Sequence, residues 1–451
     1  MSASANQARF DISDAIDNCT VGRFHARIYA LCLICLVMDG FDLQALGFAA
    51  PALINDWGIK SPALGPVFGA GNLGVLVGAL VFSVVADKVG RRPVLIGATL
   101  FFSIATLWNA RVTSVPELLI IRFFSGIGLG CIIPNATALV GEYSPKRLRV
   151  SAMATISVGF TLGAVMGGVI SAILIPSYGW RSVFYFGGAV PLAIAAAMFV
   201  WLPESLQFLV LRGKPRERIT RWLSRITSTA RVGPSTEFFV GEQTRSGVPF
   251  ANLFREGRAL GTSLIWAVNF LNLLNLYFLS SWLPTVVRTA GYSPSTAVLV
   301  GTTLQIGGAL GTLWLAWMVS RFGFTPVLTA CFAVASLAVA SLGQRSLPLM
   351  GLYVVAFLAG LCIVGGQPTI NALSGSYYPT YLRSTGIGWG LGIGRLGAII
   401  GPVLGGEFMR RQWPSEQLFY AAAVPVVITT AMMFSMRWVI RPPLATHGPL
   451  T

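Results

Sequence analysis

Residues 86–95 read Ala86-Asp87-Lys88-Val89-Gly90-Arg91-Arg92-Pro93-Val94-Leu95, and 233 positions later the chain returns to a degenerate copy, Val319-Ser320-Arg321-Phe322-Gly323-Phe324-Thr325-Pro326-Val327-Leu328. The same offset carries Pro51, Gly74 and Gly78 onto Pro284, Gly307 and Gly311, and sets Asn272 and Asn275 opposite Asp39 and Asp42. At an offset of 234, Gly126, Pro134, Gly141, Tyr143, Pro145, Arg149 and Gly163 recur as Gly360, Pro368, Gly375, Tyr377, Pro379, Arg383 and Gly397. The chain is an internal duplication. Two like halves of apolar sequence imply two similar helical bundles about a pseudo-two-fold axis, with a pathway between them, which is a plan used by transporters.

Composition agrees with that plan. Of 451 residues, 54% are hydrophobic and 11% charged, with a mean hydropathy of +0.71, well outside the range of a soluble domain. Apolar runs long enough to cross roughly 30 Å of hydrocarbon fall at 27–51, 63–86, 94–112, 116–141, 149–175, 183–202, 259–285, 295–319, 326–343, 349–374, 384–409 and 417–437. The expected fold is an all-α membrane protein with twelve transmembrane helices in two pseudo-symmetric six-helix bundles. The expected organisation is an N-terminal segment 1–26, a first bundle 27–202, a linker 203–258, a second bundle 259–437 and a tail 438–451 that reads as disordered. Small residues let membrane helices approach closely, and Gly159, Gly163 and Gly167 form a row at four-residue spacing.

The net charge of +16 could suggest nucleic acid, but its placement argues otherwise. About 23 Lys or Arg fall on the side shared by both termini and the linker, and about 7 on the other, which by the positive-inside bias puts both termini in the cytoplasm. No cleavable leader is expected, because the first 26 residues lack an apolar core. The linker carries ten basic residues, and Arg212 to Arg225 reads either as a basic amphipathic helix on the inner leaflet or as a solvated connection. The six cysteines read as small apolar filler, and with two histidines near the ends and no paired ligand motif, neither a metal nor a cofactor is expected.

The residues that are costly to bury point to function. Asp39 and Asp42, in Asp39-Gly40-Phe41-Asp42, sit deep in span 1 with i, i+3 spacing that puts both carboxyls on one helix face. Desolvation and mutual repulsion there would raise the pKa of at least one, so the pair suits holding and releasing a proton; the alternative is a pair of acids satisfied structurally. Arg395, in Gly392-Ile393-Gly394-Arg395-Leu396-Gly397, lies at similar depth in span 11. Its permanently charged fork suits a carboxylate bidentately, as a substrate anchor or in a structural ion pair. Arg122 either approaches the span 1 acids or snorkels outward. It lies about 30 Å along the helix from Glu142, too far to pair with it, and Glu142 at the inner end suits a salt bridge that opens and closes. Asp87, Arg91 and Arg92, in a tight turn that Gly90 permits, are expected to hold the inner face shut. Asn269, Asn272 and Asn275 on span 7 and Gln367 and Asn371 on span 10 make polar stripes, which face protein or water because unpaired amides in lipid are costly. Trp389 near Arg395 could sandwich a flat ring or simply pack.

The loop Ser83-Val84-Val85-Ala86-Asp87-Lys88-Val89-Gly90-Arg91-Arg92, its second copy and Arg122-Phe123-Phe124-Ser125-Gly126 resemble the major facilitator superfamily. Within it the chain is similar to the aromatic acid:proton symporters, from about residue 10 to 440, through Phe10-Asp11-Ile12, the span 1 acids, Pro203-Glu204-Ser205, and Arg395 leading to Gly401-Pro402. The resemblance implies that spans 1, 4, 7 and 10 line a cavity and that Asp39, Asp42, Asp87, Arg122, Glu142 and Arg395 are functionally important. Two departures stand out: Ser83 replaces the usual first glycine of the loop, and Ser320 replaces the acid often found in its second copy.

The expected function is import of aromatic carboxylates such as hydroxybenzoates with protons, by alternating access, in a bacterial plasma membrane. The expected partners are substrate, protons and lipid, with no nucleic acid and a monomeric carrier. Proton coupling is assigned to Asp39, Asp42 and Glu142, and substrate binding to Arg395, Arg122, Asn272, Asn275, Gln367, Asn371 and Trp389. The rivals are a proton-driven exporter, a sugar or polyol symporter and a non-transporting sensor. The exporters' Gly-Pro motif is missing from span 5, a neutral sugar would not need Arg395, and no output domain is visible. An enzyme is disfavoured for want of a nucleophile motif or metal cluster.

Overall fold

The structure is a computed structural model, and it describes residues 9–226, 236–241, 250–344, 347–379 and 381–439. Residues 440–451, most of the expected tail, lie outside the described residues. Helices dominate the chain. After a short strand β1 (Arg9–Asp11) and helix α1 (Ile12–Asp17) come α2 (Arg23–Trp57), α3 (Gly65–Val89), α4 (Arg91–Asn109), α5 (Val115–Tyr143), α6 (Lys146–Tyr178) and α7 (Arg181–Trp201). The linker forms α8 (Leu206–Leu211), α9 (Arg216–Leu223) and strand β2 (Glu237–Phe239). The second half comprises α10 (Ala259–Thr289), α11 (Pro294–Phe322), α12 (Phe324–Ser341), α13 (Leu349–Ala359), α14 (Gly366–Tyr377), α15 (Arg383–Arg410) and α16 (Ser415–Val439).

Among the described residues eleven helical stretches are long and apolar enough to cross a membrane, counting Leu349–Tyr377 as one. The twelfth expected span is α4, whose hydropathy is lowered by Arg91 and Arg92 and by Thr99, Ser103, Thr106 and Asn109. Those four side chains are fully buried, so α4 hides a polar stripe against protein. The protein is a multi-pass membrane protein, with α4 of similar length but less apolar than these eleven stretches. Where one span was expected at 349–374, α13 and α14 are separated by a π-helical turn at Gly360–Val364, marked by Gly365 N–H donating to the Gly360 carbonyl at 3.0 Å. The basic linker helix is shorter than the expected 212–225: Gly213, with φ +56°, breaks the chain after α8, and Pro215 precedes α9.

The two tight loops of the duplicated motif fold alike, since Gly90 (φ +118°) and Gly323 (φ +83°) both take backbone conformations that favour glycine. Helix starts follow local chemistry. The Ser114 hydroxyl accepts from the Glu117 N–H at the head of α5, and Ser293 accepts from Thr296 N–H at the head of α11, each with proline in the first turn.

The described residues form two compact units. The first gathers those of Met1–Ala45, Ala70–Ile170 and Ser177–Ser246. There the Gly159, Gly163, Gly167 row meets α2 at Leu33, Val37 and Phe41, themselves four apart, and Gly74 and Gly78 of α3 lie against the Phe123 and Ile127 carbonyls of α5. β1 pairs in parallel with β2, bringing Phe10 and Phe238 edge to face at 6.1 Å. The second unit gathers Leu46–Gly69, Ser171–Pro176 and the described residues from 250 on. It repeats the glycine contacts: Gly307 and Gly311 against the Phe357 and Leu361 carbonyls, and Gly397 and Gly401 against those of Phe270 and Leu274. The sequence repeat is therefore a repeat of helix-to-helix contacts.

Candidate functional site

In the first unit the chemistry gathers around α2. Asp39 and Asp42 are 3% and 0% exposed. Gly40 between them lets α2 lie directly on the Phe160 carbonyl of α6. Arg122 of α5, 3% exposed, settles the choice left by its sequence position. Its Nη1 lies 3.2 Å from Asp42 Oδ2, and its Nη2 donates to the Asp42 carbonyl at 3.4 Å. Gly71 of α3 stands beside the guanidinium, where a β-carbon would come within 3.8 Å of Nε. The other Asp42 oxygen accepts from Thr106 Oγ1 at 2.8 Å. Thr106 was not expected at this site, though the Thr99, Ser103, Thr106 periodicity on one face of α4 was its signal in the sequence.

At the end of α3 the duplicated loop builds an ionic chain. Asp87 Oδ1 pairs with Arg91 Nη2 at 2.8 Å, and Arg91 Nε reaches Glu142 Oε1 of α5 at 3.5 Å. Arg92 Nη2 donates to the Phe199 carbonyl of α7, and Arg212 of the linker donates to the Asp87 carbonyl at 2.9 Å. Glu204 completes the cluster. Its Oε1 accepts from the N–H groups of Arg91 at 2.9 Å and Arg92 at 3.2 Å, capping α4. Burial pushes the Glu204 carboxyl above its ordinary value, against the pull of the Arg92, Ser205 and Arg91 backbone N–H groups and the Arg92 charge. The second copy of the loop is wired differently: among the described residues Arg321 has no carboxylate partner, and Ser320 Oγ donates to the Trp317 carbonyl at 2.6 Å.

In the second unit α10 and α14 share an amide network. Gln367 Nε2 donates to Asn269 Oδ1 at 2.9 Å and to Asn371 Oδ1 at 3.3 Å, while its Oε1 accepts from Asn272 Nδ2 at 2.8 Å. Asn272 Nδ2 also reaches the Ile363 carbonyl in the π turn at 3.1 Å, so the irregular turn and the polar stripe fit together. Asn275 Nδ2 donates to the Leu271 carbonyl of its own helix. The buried Oδ1 atoms of Asn272 and Asn275 have no hydrogen-bond partner among the described residues.

Arg395, half-buried near the middle of α15, donates from Nη1 to the Tyr277 hydroxyl at 3.1 Å. No described carboxylate pairs with it. Trp389, by contrast, belongs to a cluster of its own, with Phe250 at 4.7 Å and Trp266 stacked at 6.3 Å, and is 49% exposed. The six-residue offset from Arg395 carries the two side chains to different faces of α15. Within each unit the structure thus brings together Asp42, Arg122 and Thr106, or Asn269, Asn272, Gln367 and Asn371. No group of three or more His, Cys, Asp or Glu suited to a metal occurs among the described residues.

The chain as a whole has known relatives. The family model described as Major Facilitator Superfamily matches residues 32–253 and 265–451. The chain is 38% identical to the 4-hydroxybenzoate transporter PcaK of Pseudomonas putida, over 93% of this chain and 94% of that protein. It is 39% identical to the gallate transporter of Pseudomonas putida, over 93% of each. Among solved structures, a bacterial homologue of the human lysosomal transporter Spinster superposes with a TM-score of 0.72 at 18% identity, covering 93% of this chain and 98% of the other. With the duplicated loop, the repeated glycine contacts and the buried Asp42–Arg122 pair, these matches show that the chain belongs to the major facilitator superfamily of transporters.

Proposed function

We propose that the protein imports small aromatic carboxylates together with protons across a bacterial plasma membrane, with both termini in the cytoplasm. The observation that carries the substrate reading is Arg395: a permanent cation deep in a membrane helix whose described partner is a neutral phenol rather than a carboxylate. A lone cation there is costly, and a planar carboxylate is the ligand that best matches its fork. The relatives named for 4-hydroxybenzoate and gallate carry carboxylates on an aromatic ring, which supports the same class of substrate.

The Asp42–Arg122 pair supports proton coupling. A proton reaching Asp42 cancels that carboxylate and leaves a surplus positive charge buried in the carrier, which an entering substrate carboxylate on Arg395 offsets. Asp39, one turn away, shares the same buried patch and the same load. A carrier holding a proton without substrate, or substrate without a proton, buries an uncompensated charge, so the doubly loaded form reorients most readily in an alternating-access cycle. The amide oxygens of Asn272 and Asn275 suit hydroxyl donors on the ring.

Counterflow of labelled 4-hydroxybenzoate in proteoliposomes tests the substrate. Exchange is expected for benzoates bearing hydroxyls, with Arg395→Ala weakening binding about tenfold or more and Arg395→Lys weakening it less. Equal binding by wild type and both variants would remove the anchor, and absence of counterflow for every aromatic acid tried would remove the substrate class.

A further inference from the structure

We propose that the protein holds an anionic phospholipid in a groove between α4, α7 and the linker helices α8 and α9. This groove has a volume of about 640 Å³ and two chemically different ends. At one end stand Lys214, Arg218 and Arg221, all exposed. Arg218 and Arg221 are one turn apart on α9, and Lys214 lies just before its start, so the three present their charge together. None forms an ion pair with a described carboxylate. Arg92 also lines the groove, its Nη2 held by the Phe199 carbonyl. Glu204 is the one acid in the lining, and its Oε1 is taken up by the N–H groups of Arg91, Arg92 and Ser205. The net charge of the lining is therefore strongly positive.

The other end is apolar and runs along membrane-spanning helix. Ile96, Gly97 and Leu100 of α4 face it, while Phe199 of α7, 68% exposed, lies against Arg92, whose guanidinium is 5.8 Å from its ring. From Arg92 to Leu100 the groove descends about 12 Å along α4 at 1.5 Å per residue. Only a ligand with a charged head and a hydrocarbon tail satisfies both ends. A soluble anion or an acidic peptide would meet the cations but leave the wall to other molecules, and a zwitterionic lipid would fill the wall but bring no net negative charge to the cations. Gly97 makes room for the chain, since a β-carbon placed there would meet nothing within 4 Å. Because Arg92 joins the groove to the ionic chain of Asp87, Arg91 and Glu142 through its own neighbouring residue, a bound headgroup sits beside the duplicated loop.

The test is native mass spectrometry of the full-length protein, delipidated in detergent and titrated with phosphatidylglycerol, phosphatidylcholine or glycerol phosphate. Wild type is expected to retain phosphatidylglycerol about tenfold more tightly than phosphatidylcholine, and glycerol phosphate should not displace it. Arg218→Gln with Arg221→Gln removes two exposed charges and should abolish that preference. Gly97→Trp, which fills open space, should lower phosphatidylglycerol retention with every charge still present. Equal retention of the two lipids by wild type, unchanged retention in both variants, or displacement by glycerol phosphate would each overturn the proposal.

Discussion

At Asp42 three helices meet on one carboxylate: α2 supplies it, α5 brings the Arg122 guanidinium at 3.2 Å and α4 the Thr106 hydroxyl at 2.8 Å. Because the pair is buried, removing one charge leaves the other uncompensated. Asp42→Asn is expected to lower stability by about 3 to 5 kcal/mol, and Thr106→Val by about 1 kcal/mol, measured as unfolding of the detergent-solubilised protein; a Thr106→Val loss as large as that of Asp42→Asn would contradict this ordering. The acids, Arg122 and Arg395 could be picked out from sequence because charge inside an apolar run is rare for an energetic reason. Which of them pair could not. Arg122 is 80 residues from Asp42, and its two open readings, inward or outward, differ only in helix rotation. Trp389 shows the reverse: nearness in sequence to Arg395 suggested a shared site, while the helix turns the ring toward Phe250 and Trp266.

Among the elements, the glycine rows were the most legible feature. A four-residue spacing on a membrane helix asks for close approach, and the structure supplies a partner backbone at Val37 and again, in the second half, at Phe270. A methyl group at Gly397 would overlap the Phe270 carbonyl, whereas one at Gly388 would meet nothing within 4 Å. Gly397→Ala is therefore expected to cost about 1 to 3 kcal/mol through overpacking, and Gly388→Ala to be neutral or to stabilise by up to about 1 kcal/mol through helix propensity; the opposite order in thermal unfolding would refute the packing account. The capping of α4 by Glu204 carries a pH signature. Its folded value is raised by burial, so its contribution to stability is complete below the ordinary carboxylate value and fades as pH rises through the raised one. Glu204→Gln, neutral throughout, should lose less Tm than wild type between about pH 4 and pH 8, and an identical fall in both would assign the pH dependence elsewhere. Two elements escaped the sequence for physical reasons. The β1–β2 pair is three residues long with partners 228 positions apart, too short for any periodicity. The π turn at Gly360–Val364 sits in an unbroken apolar run, where its only trace was Gly360, Gly365 and Gly366.

For the whole molecule, the duplicated sequence became duplicated contacts while the chemistry diverged between the halves. Acids at 39 and 42 in one half stand where the other has amides at 272 and 275, and the Asp87–Arg91–Glu142 chain of the first loop has no described ionic counterpart at Arg321. Under the proposed coupling, proton chemistry falls to the acids of the first half, and neutral hydrogen bonding with a fixed cation to the second. The most direct measurement is accumulation of labelled 4-hydroxybenzoate in proteoliposomes, corrected for protein-free liposomes, with and without an outside-acid pH gradient. Wild type should concentrate the substrate only with the gradient and lose it on adding an uncoupler, while Asp39→Asn should at most equilibrate it. Accumulation by wild type without a gradient, or gradient-driven accumulation by Asp39→Asn at the wild-type level, would contradict the coupling.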